Sequence, residues 1–188
     1  YKGIERQPLP QDYEEVLSPR PTEAEHGHPD PHIWLSPPLA RIMAQNARDA
    51  LIRIDSGHAS FYRAEFADLA QSINELDSEL LQMFRDSANR AFLVYHPSWG
   101  YFARTYGLVQ IPVRLGGERL TPRRMGKLIS LGRERRLDTI FYQPQFPERP
   151  VKQIAVELDG DVRELDPLAA DWEANLRECA RRIQESLQ

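Results

Sequence analysis

Three side chains in this sequence have the types and placements that metal chemistry asks for. His32 lies in Asp30-Pro31-His32-Ile33-Trp34-Leu35-Ser36-Pro37, His96 opens His96-Pro97-Ser98-Trp99, and Asp166 opens Asp166-Pro167-Leu168. Two imidazoles and one carboxylate suit a borderline divalent ion such as zinc. A plainer reading has each residue capping a turn or supporting its neighbours, the ordinary role of a single histidine. Nucleophilic and nucleotide chemistries find less support. There is no G-x-S-x-G elbow, and Gly116-Gly117 lacks the flanking glycines of a phosphate or dinucleotide loop. The single cysteine, Cys179, excludes an internal disulfide and a thiolate zinc site. Its company on one helix face, Trp172, Leu176 and Ile183, marks a small core residue.

The elements that must position these residues follow from periodicity. Six prolines between Pro8 and Pro31 mark that stretch as loop. Ser36 then reads as a cap with Pro37 at the first helical position, and apolar spacings of three and four carry a helix over 37–54. After Asp55-Ser56-Gly57 the same period runs from Phe61 to about Asn89, roughly 45 Å of helix, long enough to bridge two bodies. His58, at its start, reads as a surface or capping residue. From Ala91 onward, short β-branched or aromatic runs alternate with amphipathic helices: strands 91–95, 108–115, 138–142 and 162–165, helices 98–106, 122–136, 148–158 and 171–187. Four strand-then-helix units predict an α/β lobe with a doubly wound parallel four-stranded sheet. In such sheets ligands bind beyond the carboxyl ends of the strands, where His96 and Asp166 fall.

The 188 residues suffice for a sizeable core. Hydrophobic residues make up 41%, charged residues 28%, and mean hydropathy is −0.56, which excludes disordered and fibrous classes. A formal charge of −4 is the wrong sign for a protein whose main partner is nucleic acid. No run approaches the roughly 18 apolar residues of a membrane helix. The opening Tyr1-Lys2-Gly3 has neither initiator Met nor signal-peptide core, and reads as a mature form, an excised domain or a proteolytic piece. The basic cluster Arg133, Arg135 and Arg136 falls in a helix's last turn, where cations complement the dipole.

With these motifs in view, the sequence resembles the zinc- and manganese-binding solute receptors of bacterial ABC importers, the ZnuA- or TroA-like family. A D-P-H-x-W-x-x-P segment is present as Asp30 to Pro37. An H-x-x-x-G-Y-F-A-x-x-Y-G-L segment is present as His96 to Leu108, F-x-Q-P-Q-F as Phe141 to Phe146, and D-P-L as Asp166 to Leu168. The likeness runs through nearly the whole chain but covers the later part of the family's sequence, with Tyr1–Pro10 resembling the end of its first lobe. It implies two lobes joined by a long rigid helix. This chain would divide into a first-lobe remnant with a His-bearing loop (1–36), a helical region with the inter-lobe helix (37–90) and a metal-binding α/β lobe (91–188).

The resemblance further implies that His32, His96 and Asp166 are three of four metal ligands, the fourth being a His upstream. Relatives that prefer manganese tend to carry Glu at the position of His96, so His96 points to Zn²⁺ over Mn²⁺. Because imidazole binds metal only when deprotonated, capture is expected to fail as pH falls through roughly 6. The implied function is capture of zinc outside the cytoplasm, periplasmic or lipid-anchored, by a monomer that delivers it to an ABC permease without a chemical step. Two departures stand out. Arg119-Leu120-Thr121-Pro122 replaces an acidic-Pro-Ser phrase, and the His-rich loop is reduced to His26 and His28, which read as a weak capture loop or a solvated turn. The alternatives are an adhesin-like surface protein, or a zinc hydrolase with a two-His-one-Asp site. A hydrolase needs a general base, and no H-E-x-x-H or H-x-x-E-H segment supplies one.

Overall fold

The computed structural model describes residues 30–114 and 120–188. His26, His28, Gly116-Gly117, Arg119 and Tyr1–Pro10 lie outside the described residues. A 3₁₀ turn, Ile33–Leu35, leads into α1 (Pro37–Ile54), and a second, Ser56–His58, into α2 (Ala59–Phe84). Then follow β1 (Ala91–Val94), α3 (Gly100–Thr105), β2 (Val109–Pro112), α4 (Pro122–Arg135), β3 (Thr139–Tyr142), α5 (Glu148–Glu157), β4 (Asp161–Glu164) and α6 (Trp172–Ser186). The order of elements is the expected one, and several ends differ.

The long helix stops at Phe84 instead of Asn89, because local groups consume its terminal carbonyls. The Arg90 guanidinium donates to Phe84 O at 2.7 Å and Arg85 O at 3.1 Å. Asn89 Oδ1 accepts from the amides of Arg90 and Ala91 and turns the chain into β1. At 26 residues the helix is about 39 Å long. Ser36 precedes α1 as expected, but its hydroxyl pairs with Thr105 Oγ1 at 2.8 Å and caps nothing. Ser36 is fully buried, so its hydroxyl needs a partner in the core, and Thr105 supplies it.

All strand pairings are parallel, in the order β2-β1-β3-β4. Strand alternation sends Phe92, Val94 and Phe141 to one face, where α2, α3 and α6 contribute Leu76, Leu80, Phe84, Phe102 and Ile183. It sends Ala91, Leu93 and Ile140 to the other, against Leu128 and Leu131 of α4 and Val151 and Ile154 of α5. A fully buried Leu or Phe contributes about 1.5–3 kcal/mol, so these two layers dominate stability. Helices on both faces make this the expected doubly wound lobe. The α1–α2 hairpin is different: past Pro37, no residue of α1 is buried, and α2 buries residues only from Ala70 onward.

Cys179 sits in the first layer at 2% exposure, and burial pushes its thiol up to about 12. It is therefore expected to resist a disulfide-exchange reagent at about pH 8 in the folded chain and to react within minutes in denaturant. Equal rates in both states would refute its core placement.

Candidate metal centre

The first two candidates come from loops that packing, not sequence proximity, brings together. His96 follows β1, the second strand of the sheet, where Tyr95 N–H still donates to Phe141 O at 2.7 Å. The loop then turns sharply, with Ser98 N–H donating to His96 O at 3.0 Å. Gln143, past the end of β3 and 2% exposed, pins this turn: its amide nitrogen donates to His96 O at 2.8 Å and to Ser98 Oγ at 2.9 Å. His32 sits at the head of the 3₁₀ turn whose Leu35 is fully buried in the core. The His32 and His96 rings meet edge to face, with centroids 6.0 Å apart and planes at 74°. Phe146 lies against His96 at 5.1 Å and Trp34 against His32 at 5.4 Å, giving the pair an apolar rim.

Asp30 orients the first ring. Its Oδ1 accepts the His32 backbone N–H at 2.9 Å and lies 2.6 Å from His32 Nδ1. Asp166 forms the same Asp-Pro turn, with Oδ1 accepting Leu168 N–H at 3.0 Å and Gln145 Nε2–H at 2.9 Å. Its own carbonyl accepts from Asn175 Nδ2 at 2.7 Å. All three candidate side chains are half-buried. The structure thus brings the two imidazoles together and holds Asp166 on Gln145, the residue before Phe146. Among the described residues, no group of three or more His, Cys, Asp or Glu side chains is gathered closely enough to hold a metal ion.

The family described as "ZnuA: Zinc-uptake complex component A periplasmic" matches residues 3–186. The chain belongs to the ZnuA family. A crystal structure of a ZnuA deletion mutant with zinc bound is 34% identical to this ZnuA-family chain, with a TM-score of 0.84 over 98% of it and 66% of that protein's chain. A second crystal structure of ZnuA is 38% identical, with a TM-score of 0.81 over 85% of this chain and 60% of the other. The zinc-binding protein AdcA of Streptococcus pyogenes serotype M3 is 26% identical over 159 residues, which is 83% of this chain and 31% of AdcA. The chain thus spans about a third of that curated relative and about two thirds of the ZnuA crystal chains.

Asp30 lies in the D-P-H-x-W-x-x-P motif and Gln143 and Gln145 in F-x-Q-P-Q-F, and neither motif by itself gives them a task. The D-P spacing before His32 carried a signal, since an Asp two residues ahead of a backbone N–H closes a local turn. Nothing local could reveal Gln143, whose partners come from the loop after a different strand. His58 is the exposed residue expected, its Nδ1 2.9 Å from the Asp55 carboxylate, which also accepts from Tyr62 at 2.7 Å. These bonds, His58 first, lower the Asp55 pKa.

Proposed function

We propose that this chain captures zinc outside the cytoplasm, with His32, His96 and Asp166 as ligands, and delivers it to an ABC-type permease. The observation that carries the reading is the meeting of the His32 and His96 rings, from loops that precede and follow the long helix in the chain, in a member of the ZnuA family. The donor set supports it: Asp30 occupies His32 Nδ1, which directs Nε2 to the cation, and Asp166 spends Oδ1 on its turn and on Gln145. Two neutral imidazoles and one anionic oxygen favour zinc over the harder manganese. The reading contains no chemical step, and the receptor acts as a monomer, anchored by lipid in its full-length form. The division into a first-lobe remnant (1–36), an inter-lobe helical region (37–90) and the metal-binding lobe (91–188) belongs to it. The first half of α2, where no residue is fully buried, beside a second half that enters the core, supports that division.

Calorimetric titration of the chain with Zn²⁺, Mn²⁺ and Fe²⁺ tests this. One saturable site with zinc the tightest is expected, and no heat beyond dilution for any ion would sink the proposal. Turnover of generic ester or peptide substrates by the zinc-loaded chain would sink its non-enzymatic part. Asp30→Ala is expected to weaken zinc binding by roughly 10–100-fold, the usual cost of removing a carboxylate behind a ligating His. An unchanged affinity would show that Asp30 merely closes a turn.

A further inference from the structure

The loop bearing His32 and the loop bearing Asp166 are joined by a pair of indole hydrogen bonds that neither the family match nor the donor set explains. Trp34 Nε1–H donates to the carbonyl of Pro167 at 2.8 Å. Trp172 Nε1–H, from the first residue of α6, donates to the carbonyl of Trp34 at 2.9 Å. Trp34 therefore gives a bond to the residue after Asp166 and takes one from the helix that Asp166-Pro167-Leu168 leads into. Both rings are partly buried against the first core layer, so neither indole swings freely. An indole has two rotatable bonds and a single donor, which makes it a stiff strut between two backbones.

A cation held by ligands from distant loops is sensitive to the spacing of those loops. Coordination bonds tolerate only a few tenths of an ångström, whereas loops joined only through a core drift further. The His32 loop is seated independently, by buried Leu35 and by Ser36 on Thr105, and the Asp166 carbonyl is seated on α6 through Asn175. The clasp couples these two anchored units to each other. We propose that Trp34 and Trp172 are positioning residues that lock the His32 loop to the Asp166 loop, and so set how long a bound divalent cation is retained. This rests on the reading of His32 and Asp166 as ligands.

The test uses the whole chain, with Trp34→Phe, Trp172→Phe and the double variant. Phe keeps one aromatic ring against the core and removes the N–H together with the rest of the indole, a packing loss that the thermal midpoint reads separately. Without metal, hydrogen exchange of the amides of residues 33–36 is expected to quicken about tenfold in Trp172→Phe. With Zn²⁺, release to a chelating dye is expected to quicken about 5–30-fold in each single variant, by less than the product in the double, with thermal midpoints within a few degrees of the parent. A merely structural role would lower the midpoint and leave release unchanged. Release within twofold of the parent, with loop exchange unaltered, overturns the proposal. If the parent binds no zinc, the ligand assignment fails, and the exchange experiment alone still decides whether the clasp holds the loop. Should one single variant fail to fold, the other removes the second bond of the same clasp. Failure of both to fold overturns the proposal, because the indoles would then be core residues.

Discussion

Replacing His96 with Ala is expected to weaken zinc binding by at least about a hundredfold while leaving the fold in place. Removing an outer carboxylate costs 10–100-fold, and a ligand that donates its own lone pair costs more. The fold should survive for a specific reason. The His96 side chain is half-buried at the mouth of the sheet, whereas what holds its loop is its carbonyl, bonded by Gln143 and by the Ser98 amide. Truncation beyond Cβ removes neither bond and gives up the ring contacts with His32 and Phe146, each worth about 0.5–1.5 kcal/mol. Competition against a chromophoric chelator measures the affinity, and the thermal midpoint controls for folding. An affinity within threefold of the parent would remove His96 from the site, and with it the argument for zinc over manganese.

A methyl group at the opposite end of the sheet should give the reverse pattern. In Gly160→Ala the new Cβ would stand 1.9 Å from the carbonyl oxygen of Asp138 and 2.8 Å from its carbon. Both atoms are backbone, and the same oxygen accepts the Asp161 N–H at 2.7 Å, the bond that starts the β3–β4 pairing. No side chain can rotate away, so β4 must separate from β3 or α5 must shift. The expected loss is on the order of 3 kcal/mol, the upper part of the range for overpacking. For a domain of this size that lowers the thermal midpoint by roughly 10 °C. Zinc affinity of the folded fraction should not change, because Gly160 precedes β4 and the candidate ligands lie past the strand ends. A midpoint within 2 °C of the parent would show that the turn has slack.

The two experiments separate what stabilises the chain from what would make it a receptor. The candidate ligands are half-buried polar groups in loops, whereas stability rests on two apolar layers and close backbone passages at the strand starts. Arg–carboxylate pairs on α6 belong to neither. Glu178, held by Arg181 and Arg182, has its carboxyl lowered to about 2. A folded pKa below the unfolded value means its contribution is present above roughly pH 4 and is lost as pH falls toward 2. The side chain is about two-fifths exposed, so solvent screening keeps this contribution small beside the core.

The amino-acid order by itself determined the local grammar of this protein. Periodicities of three and four, Pro at first helical positions, and short β-branched runs were enough to place the α-helices and strands of the described residues in order. Parallel crossovers then dictated a helix-covered sheet. These signals are local, because each depends on residues within one or two turns of chain. The recurrent Asp-Pro and His-Pro phrases located the candidate site for the same reason. What the tertiary structure decided concerns partners far apart in sequence. It chose the strand order β2-β1-β3-β4, which sets Gln143 beside the His96 loop. It turned the Ser36 hydroxyl from a helix cap to Thr105. It laid His32 against His96, and tied Trp34 to Pro167 and Trp172 to Trp34. No periodicity encodes such pairs, because a buried donor takes whichever acceptor the packed core presents, and that acceptor exists only once the layers have closed.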